Sequence, residues 1–105
     1  MTDILERLAR TVAEKRAADP KSSWTAQLLA AGPEKAAQKF GEEAVEAVIE
    51  AVRGDRDRLA AEAADVLYHL VVMLAAREVE LDAVLKVLEE REGISGVDEK
   101  AARES

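Results

Sequence analysis

Apolar residues recur along this chain at the three-to-four-residue spacing of amphipathic helices, and the pattern divides into four to five such stretches. The first runs from about Asp3 to Ala18, with Ile4, Leu5, Leu8, Val12 and Ala13 on one stripe. Asp19-Pro20 ends it, because the residue before a proline is pushed out of the α region. Lys21 to Trp24 reads as a loop. Ser23 is placed to cap a short helix from about Thr25 to Ala31, which Gly32 closes. Pro33 suits the first turn of the next helix, which runs to about Arg53 and stops at Gly54. Its apolar positions are Ala37, Phe40, Ala44, Val45, Val48, Ile49 and Val52. Asp55 or Asp57 opens a fourth helix that reaches about Glu78, and a last one spans about Leu81 to Glu92. Residues 93–105 are polar, carry two glycines and read as a tail, flexible or laid on the surface.

The fourth segment changes the picture. From Val66 to Leu74 it is apolar nearly all round, so it must be covered on several sides. The other helices of so short a chain are not expected to cover it alone. The expectation is therefore an all-α bundle, one domain over residues 1–92, assembled as an intertwined homodimer around this helix.

Composition narrows the classes. At 105 residues one domain is expected, and the 3% aromatic content suits packed helices better than a sheet. Twenty-two acidic residues against 15 basic give a net charge of −7, which disfavours nucleic acid as a partner. The chain has no cysteine, hence neither disulfides nor thiolate metal sites. No charged-then-apolar leader opens it, and the longest apolar run, Val66 to Ala76, is too short to cross a bilayer. A cytoplasmic protein with no membrane contact is the expectation.

Two acidic motifs carry candidate chemistry: Glu42-Glu43-Ala44-Val45-Glu46 in the third segment and Glu62-Ala63-Ala64-Asp65 in the fourth. Residues three apart on a helix lie about 60° apart around its axis, so Glu43 pairs with Glu46 and Glu62 with Asp65. Glu46 stands eight residues before Gly54 and Glu62 eight after, so an antiparallel hairpin sets the pairs at one height. Four facing carboxylates repel unless a hard cation neutralises them, and Mg²⁺, with Mn²⁺ as a substitute, accepts such oxygens together with substrate phosphates. Such an ion also supplies activated water, while a spare carboxylate takes its proton; Glu42 and Glu50 are candidates for that or for supporting the ligands. Exposed acidic residues are usually only solvated. Against that, the second pair opens into the most apolar stretch of the chain, where bare carboxylates are costly.

Lys35 and Lys39 share the stripe of Glu43, Glu46 and Glu50 and can hold phosphate oxygens, or simply form i,i+4 ion pairs. His69, the single histidine, is read either as a buried hydrogen-bonded residue or as a substrate contact. Tyr68 and Met73 read as packing. Trp24 either stacks on a base or ribose or fills a gap between helices.

Together, Ser23 to Leu29, Lys39-Phe40-Gly41-Glu42-Glu43-Ala44-Val45-Glu46 and Glu62 to Leu70 make the chain resemble the MazG-like all-α nucleotide pyrophosphohydrolases, and among them the phosphoribosyl-ATP pyrophosphatase family. The likeness covers roughly Ile4 to Glu90, with Trp24 where a tyrosine is usual and Phe40 where an aliphatic is usual. It implies hydrolysis of the α–β phosphate bond of phosphoribosyl-ATP in histidine biosynthesis, Mg²⁺, a homodimer and a cytoplasmic location. By motif position it implies Glu43, Glu46, Glu62 and Asp65 as metal ligands, with Lys39 facing the phosphates and the Ser23–Thr25 loop near the substrate. With the residues' own spacing added, the expected catalytic carboxylates are Glu42, Glu43 and Glu46, and the expected substrate contacts are Lys35, Lys39, Ser23, Trp24, Thr25 and His69. The family sometimes occurs fused to a cyclohydrolase, and the standalone form is expected here.

Three other readings compete. A related house-cleaning enzyme would act on free nucleoside triphosphates, and a helical interaction dimer would show no Mg²⁺-dependent hydrolysis. A di-iron bundle needs two Glu-x-x-His motifs, which one histidine cannot supply.

Overall fold

Local caps decide where the helices begin and end. In the computed structural model, which describes residues 3–92, α1 (Asp3–Glu14) continues into a single 3₁₀ turn, Lys15–Ala17. The expected tail over residues 93–105 lies outside the described residues. Ser23 opens α2 (Trp24–Ala31), its hydroxyl accepting the Ala26 N–H at 3.2 Å. Gly32, at φ 103°, turns the chain so that α3 (Pro33–Arg53) starts on the next residue. Gly54, at φ 81°, is the left-handed stop of α3, and its N–H returns to the Glu50 carbonyl at 3.0 Å. Asp55 caps α4 (Arg56–Ala76) by accepting the Arg58 N–H at 3.0 Å. The last helix is α5 (Leu81–Arg91). Among the described residues the protein is all-α, as expected.

Two ends differ from expectation. The last turn of α1 tightens to 3₁₀. Helix α4 stops at Ala76 because Glu78 adopts φ 59° and two bonds close the turn, from the Glu78 N–H to the Ala75 carbonyl at 3.0 Å and from the Val79 N–H to the Leu74 carbonyl at 2.9 Å. Arg16 donates to the Ala75 carbonyl and approaches the Glu78 carboxylate to 3.9 Å, tying the end of α1 to this turn.

Val12 of α1, Leu28 of α2, Ala36 of α3 and Val71 and Val72 of α4 form the buried core, with Leu8, Leu29, Tyr68 and Met73 packed on it. Burial of each of the larger side chains stabilises the fold by about 1.5–3 kcal/mol. Helices α3 and α4 make the most extensive contact, as a hairpin about Gly54. On α3 the wholly or partly covered residues include Ala36, Phe40, Glu43, Ala47 and Glu50, at near-heptad spacing, with Lys35, Lys39 and Ala44 beside them. Apart from Phe40, that seam is small or acidic. The branched residues Val45, Val48, Ile49 and Val52 lie on the exposed side. Uncovered apolar surface was expected mainly on α4; the broader uncovered stripe is on α3, while Leu67 of α4 is also exposed.

Helix α4 as a whole, beyond its apolar run, is long and apolar enough by length and composition to cross a membrane. It buries Val71 and Val72 in the core and carries Glu62 and Asp65 beside α3, as the central helix of a bundle does.

Candidate functional site

The α3–α4 hairpin brings Glu43, Glu62 and Asp65 together. One carboxylate oxygen from each lies within 4.8 Å of the others. Glu46, also expected as a ligand, neighbours Glu43 and Glu62 but does not join this three-residue group. Burial pushes the Glu43 carboxyl above the ordinary carboxylate range, the adjoining Glu46 and the charge of Asp65 push further, and His69 pulls back. Burial likewise raises Glu62, reinforced by Glu46, Asp65 and Glu43. Glu62 Oε2 is shut off from solvent and finds no hydrogen-bond partner. A shielded, unpartnered oxygen facing like charges is costly for the bare protein and suits a cation. The donors of the three-residue group are all hard carboxylate oxygens, a set that fits Mg²⁺ or Mn²⁺.

Glu42 does not join this group. Its carboxylate accepts from Gln38 Nε2 at 3.0 Å and from Lys39 Nζ at 3.3 Å. The Gln38 bond, then the bond and charge of Lys39, and then Lys35 hold it below the ordinary range. Glu50 continues the acidic seam toward Gly54. Its side chain is 12% exposed, Oε1 lies 4.0 Å from Arg53 Nη1, and that oxygen accepts no hydrogen bond.

The expected substrate residues border the carboxylates. Lys39 Nζ lies 5.8 Å from the centre of the Trp24 ring, one helical turn before Glu43. Trp24 is 49% exposed, so it does not fill a gap within this chain. Ser23 is engaged as the α2 cap. Thr25 Oγ1 shares a hydrogen bond with the Tyr68 hydroxyl. His69 is buried, and its Nδ1–H donates to the Asp65 carbonyl at 2.9 Å. Its position beside Glu43 also puts it next to the acidic group. Tyr68, read as packing, does pack on the core, and its hydroxyl makes a polar contact besides. Its partner Thr25 lies 43 positions away, and no local pattern announces that pairing.

Comparison with known proteins agrees with this geometry. Residues 5–92 match the family described as phosphoribosyl-ATP pyrophosphohydrolase. A protein of Cereibacter sphaeroides (strain KD131 / KCTC 12085) is 73% identical over 100 residues, covering 95% of this chain and 97% of its own. One from Dinoroseobacter shibae is 69% identical over 95% of this chain and 98% of its own. One from Paracoccus denitrificans is 66% identical over 94% and 92%. All three are named phosphoribosyl-ATP pyrophosphatase. The chain belongs to the phosphoribosyl-ATP pyrophosphohydrolase family.

Proposed function

We propose that this chain hydrolyses phosphoribosyl-ATP to phosphoribosyl-AMP and pyrophosphate in histidine biosynthesis, as a Mg²⁺-dependent cytoplasmic homodimer. The observation that carries the reading is the meeting of Glu43, Glu62 and Asp65 from two helices, with a shielded Glu62 oxygen left without a partner. The names of relatives of nearly full length support the substrate.

Glu43, Glu46, Glu62 and Asp65 would hold the cation. When bound, it would offset polyphosphate charge and lower the pKa of a coordinated water. Glu46, which neighbours Glu43 and Glu62 but lies outside their three-residue group, would either complete the cation's shell or serve as the spare carboxylate that takes a proton from an attacking water. Lys39 would grip phosphate oxygens from the rim, with Lys35 nearby. Glu42, expected as a catalytic or supporting carboxylate, would act by holding Lys39. Trp24 offers an exposed ring to base or ribose, with Ser23 and Thr25 fixing the turn beneath it. His69 holds Asp65 in place through the Asp65 carbonyl. The exposed aliphatic stripe of α3 supports the homodimer.

The test is pyrophosphate release from phosphoribosyl-ATP and from a panel of free nucleoside triphosphates, each with and without Mg²⁺. Preference for phosphoribosyl-ATP, lost on chelation, is expected. Preference for a free triphosphate would replace this substrate with the house-cleaning reading.

A further inference from the structure

Tyr68 stands one turn past Asp65 on α4, and its hydroxyl is bound to Thr25 at the start of α2. Its ring meets His69 edge-on, with centroids 4.8 Å apart and planes at 86°, and His69 in turn holds the Asp65 carbonyl. On the other side of the α2 start, the exposed Trp24 ring faces Lys39 of α3. The first two residues of α2 therefore bridge α3 and α4 beside the carboxylates. Counted from Gly54, Lys39 is fifteen residues back and Tyr68 fourteen on, whereas Glu43 and Asp65 are eleven away on either side. At 1.5 Å per residue, the start of α2 sits about 5 Å beyond the carboxylate level along the hairpin. A helix of eight residues is marginal alone. Its far end is anchored by Leu28 in the core, while at its start Ser23 caps the helix and Thr25 reaches α4.

We infer that the Thr25–Tyr68 hydrogen bond is a positioning latch that fixes the Trp24 ring relative to the carboxylate group. A nucleotide with its phosphates at Glu43 and Asp65 then meets the indole at its base or ribose end. The latch rests on the pyrophosphohydrolase reading; Tyr68 acts through Thr25 and Trp24 and is not itself catalytic.

Tyr68→Phe keeps the ring and removes the bond. It is expected to raise KM for phosphoribosyl-ATP roughly three- to tenfold, the size of one neutral hydrogen bond, with kcat within about twofold and the Mg²⁺ half-saturation unchanged. Thr25→Val should match it, Thr25→Ser should restore KM, and Tyr68→Phe with Thr25→Val should be no worse than either alone. Trp24 is the single tryptophan, so its fluorescence gives a readout independent of turnover. With AMP as probe, the emission change in the wild type should need several-fold more AMP in Tyr68→Phe, and the free variant should show lower Trp24 anisotropy. An unchanged KM in Tyr68→Phe, multiplicative effects in the double variant, or identical Trp24 signals in both proteins would overturn the latch. A wild type that does not turn over phosphoribosyl-ATP would count against the underlying reading, and the fluorescence comparison would still decide the latch.

Discussion

The α3 stripe makes a quantitative prediction about assembly. Val45, Val48, Ile49 and Val52 are 59, 60, 47 and 84% exposed in the protomer. Together they present on the order of 400 Å² of apolar surface, and a two-fold interface buries that twice. At roughly 25 cal/mol per Å², the gross gain is about 20 kcal/mol, against about 4–15 kcal/mol lost on association. Val48→Lys removes one exposed aliphatic near the middle of the stripe. Scaling the burial of a valine by its exposure, it forfeits about 1–2 kcal/mol per copy, hence about 2–4 kcal/mol per dimer before any repulsion between the two new charges. Kd should rise roughly thirty- to a thousandfold. Lysine is a good helix former and the position is exposed in the protomer, so helicity should not change. Sedimentation velocity over a concentration series measures the effect. A wild type that is monomeric at tens of micromolar, or a variant that dimerises equally well, would refute the assignment of this face.

Three further outcomes follow from particular contacts. Leu28→Ala, in a side chain 1% exposed within the core, should cost about 3 kcal/mol and lower Tm by roughly 12–24 °C; a loss under about 1 kcal/mol in denaturant melts would mean that α2 is not anchored there. Glu78→Gly relieves a left-handed residue whose ion pair to Arg16 is exposed and long, and should add about 0.5–1 kcal/mol; a lower Tm would show that the Arg16 contact outweighs the backbone. Glu43 and Glu62 are raised above the carboxylate range in the folded state, so their contribution to stability is present below the unfolded pKa and lost as pH rises through the folded values. Metal-free wild type and Glu43→Gln should therefore melt alike near about pH 4 and diverge toward neutrality with the variant more stable. Excess Mg²⁺ should reverse that order, and a gap independent of pH would contradict the crowding of these carboxylates.

Much of this architecture is legible in the chain because its stops and starts are local. Ser23, Gly32-Pro33, Gly54 and Asp55 each act within one turn, and they mark α2, α3 and α4 to within about two residues. The acidic group was legible for a related reason, since equal distances from one turn become equal heights in a hairpin. The end of α4 was not, because a glutamate occupies the left-handed position where glycine is the usual sign. Nor was the direction of Glu42, which Gln38 and Lys39 draw away from its neighbour Glu43. The sides of α3 were ambiguous as well. Its aliphatics look like core, yet the covered seam belongs to Phe40, alanines and carboxylates, leaving Val45, Val48, Ile49 and Val52 outside. The Thr25–Tyr68 pairing depends on tertiary placement alone, to which helical periodicity is blind.

The central claim is that carboxylates from α3 and α4 act as one cation-holding group. Pyrophosphate release from phosphoribosyl-ATP at saturating Mg²⁺, compared among wild type, Glu46→Gln and Asp65→Asn with helicity checked by circular dichroism, tests it most directly. Both variants should lose at least about a hundredfold in rate while remaining folded, as expected when charged ligands essential to the ion are removed. Wild-type rates in both folded variants would contradict the claim.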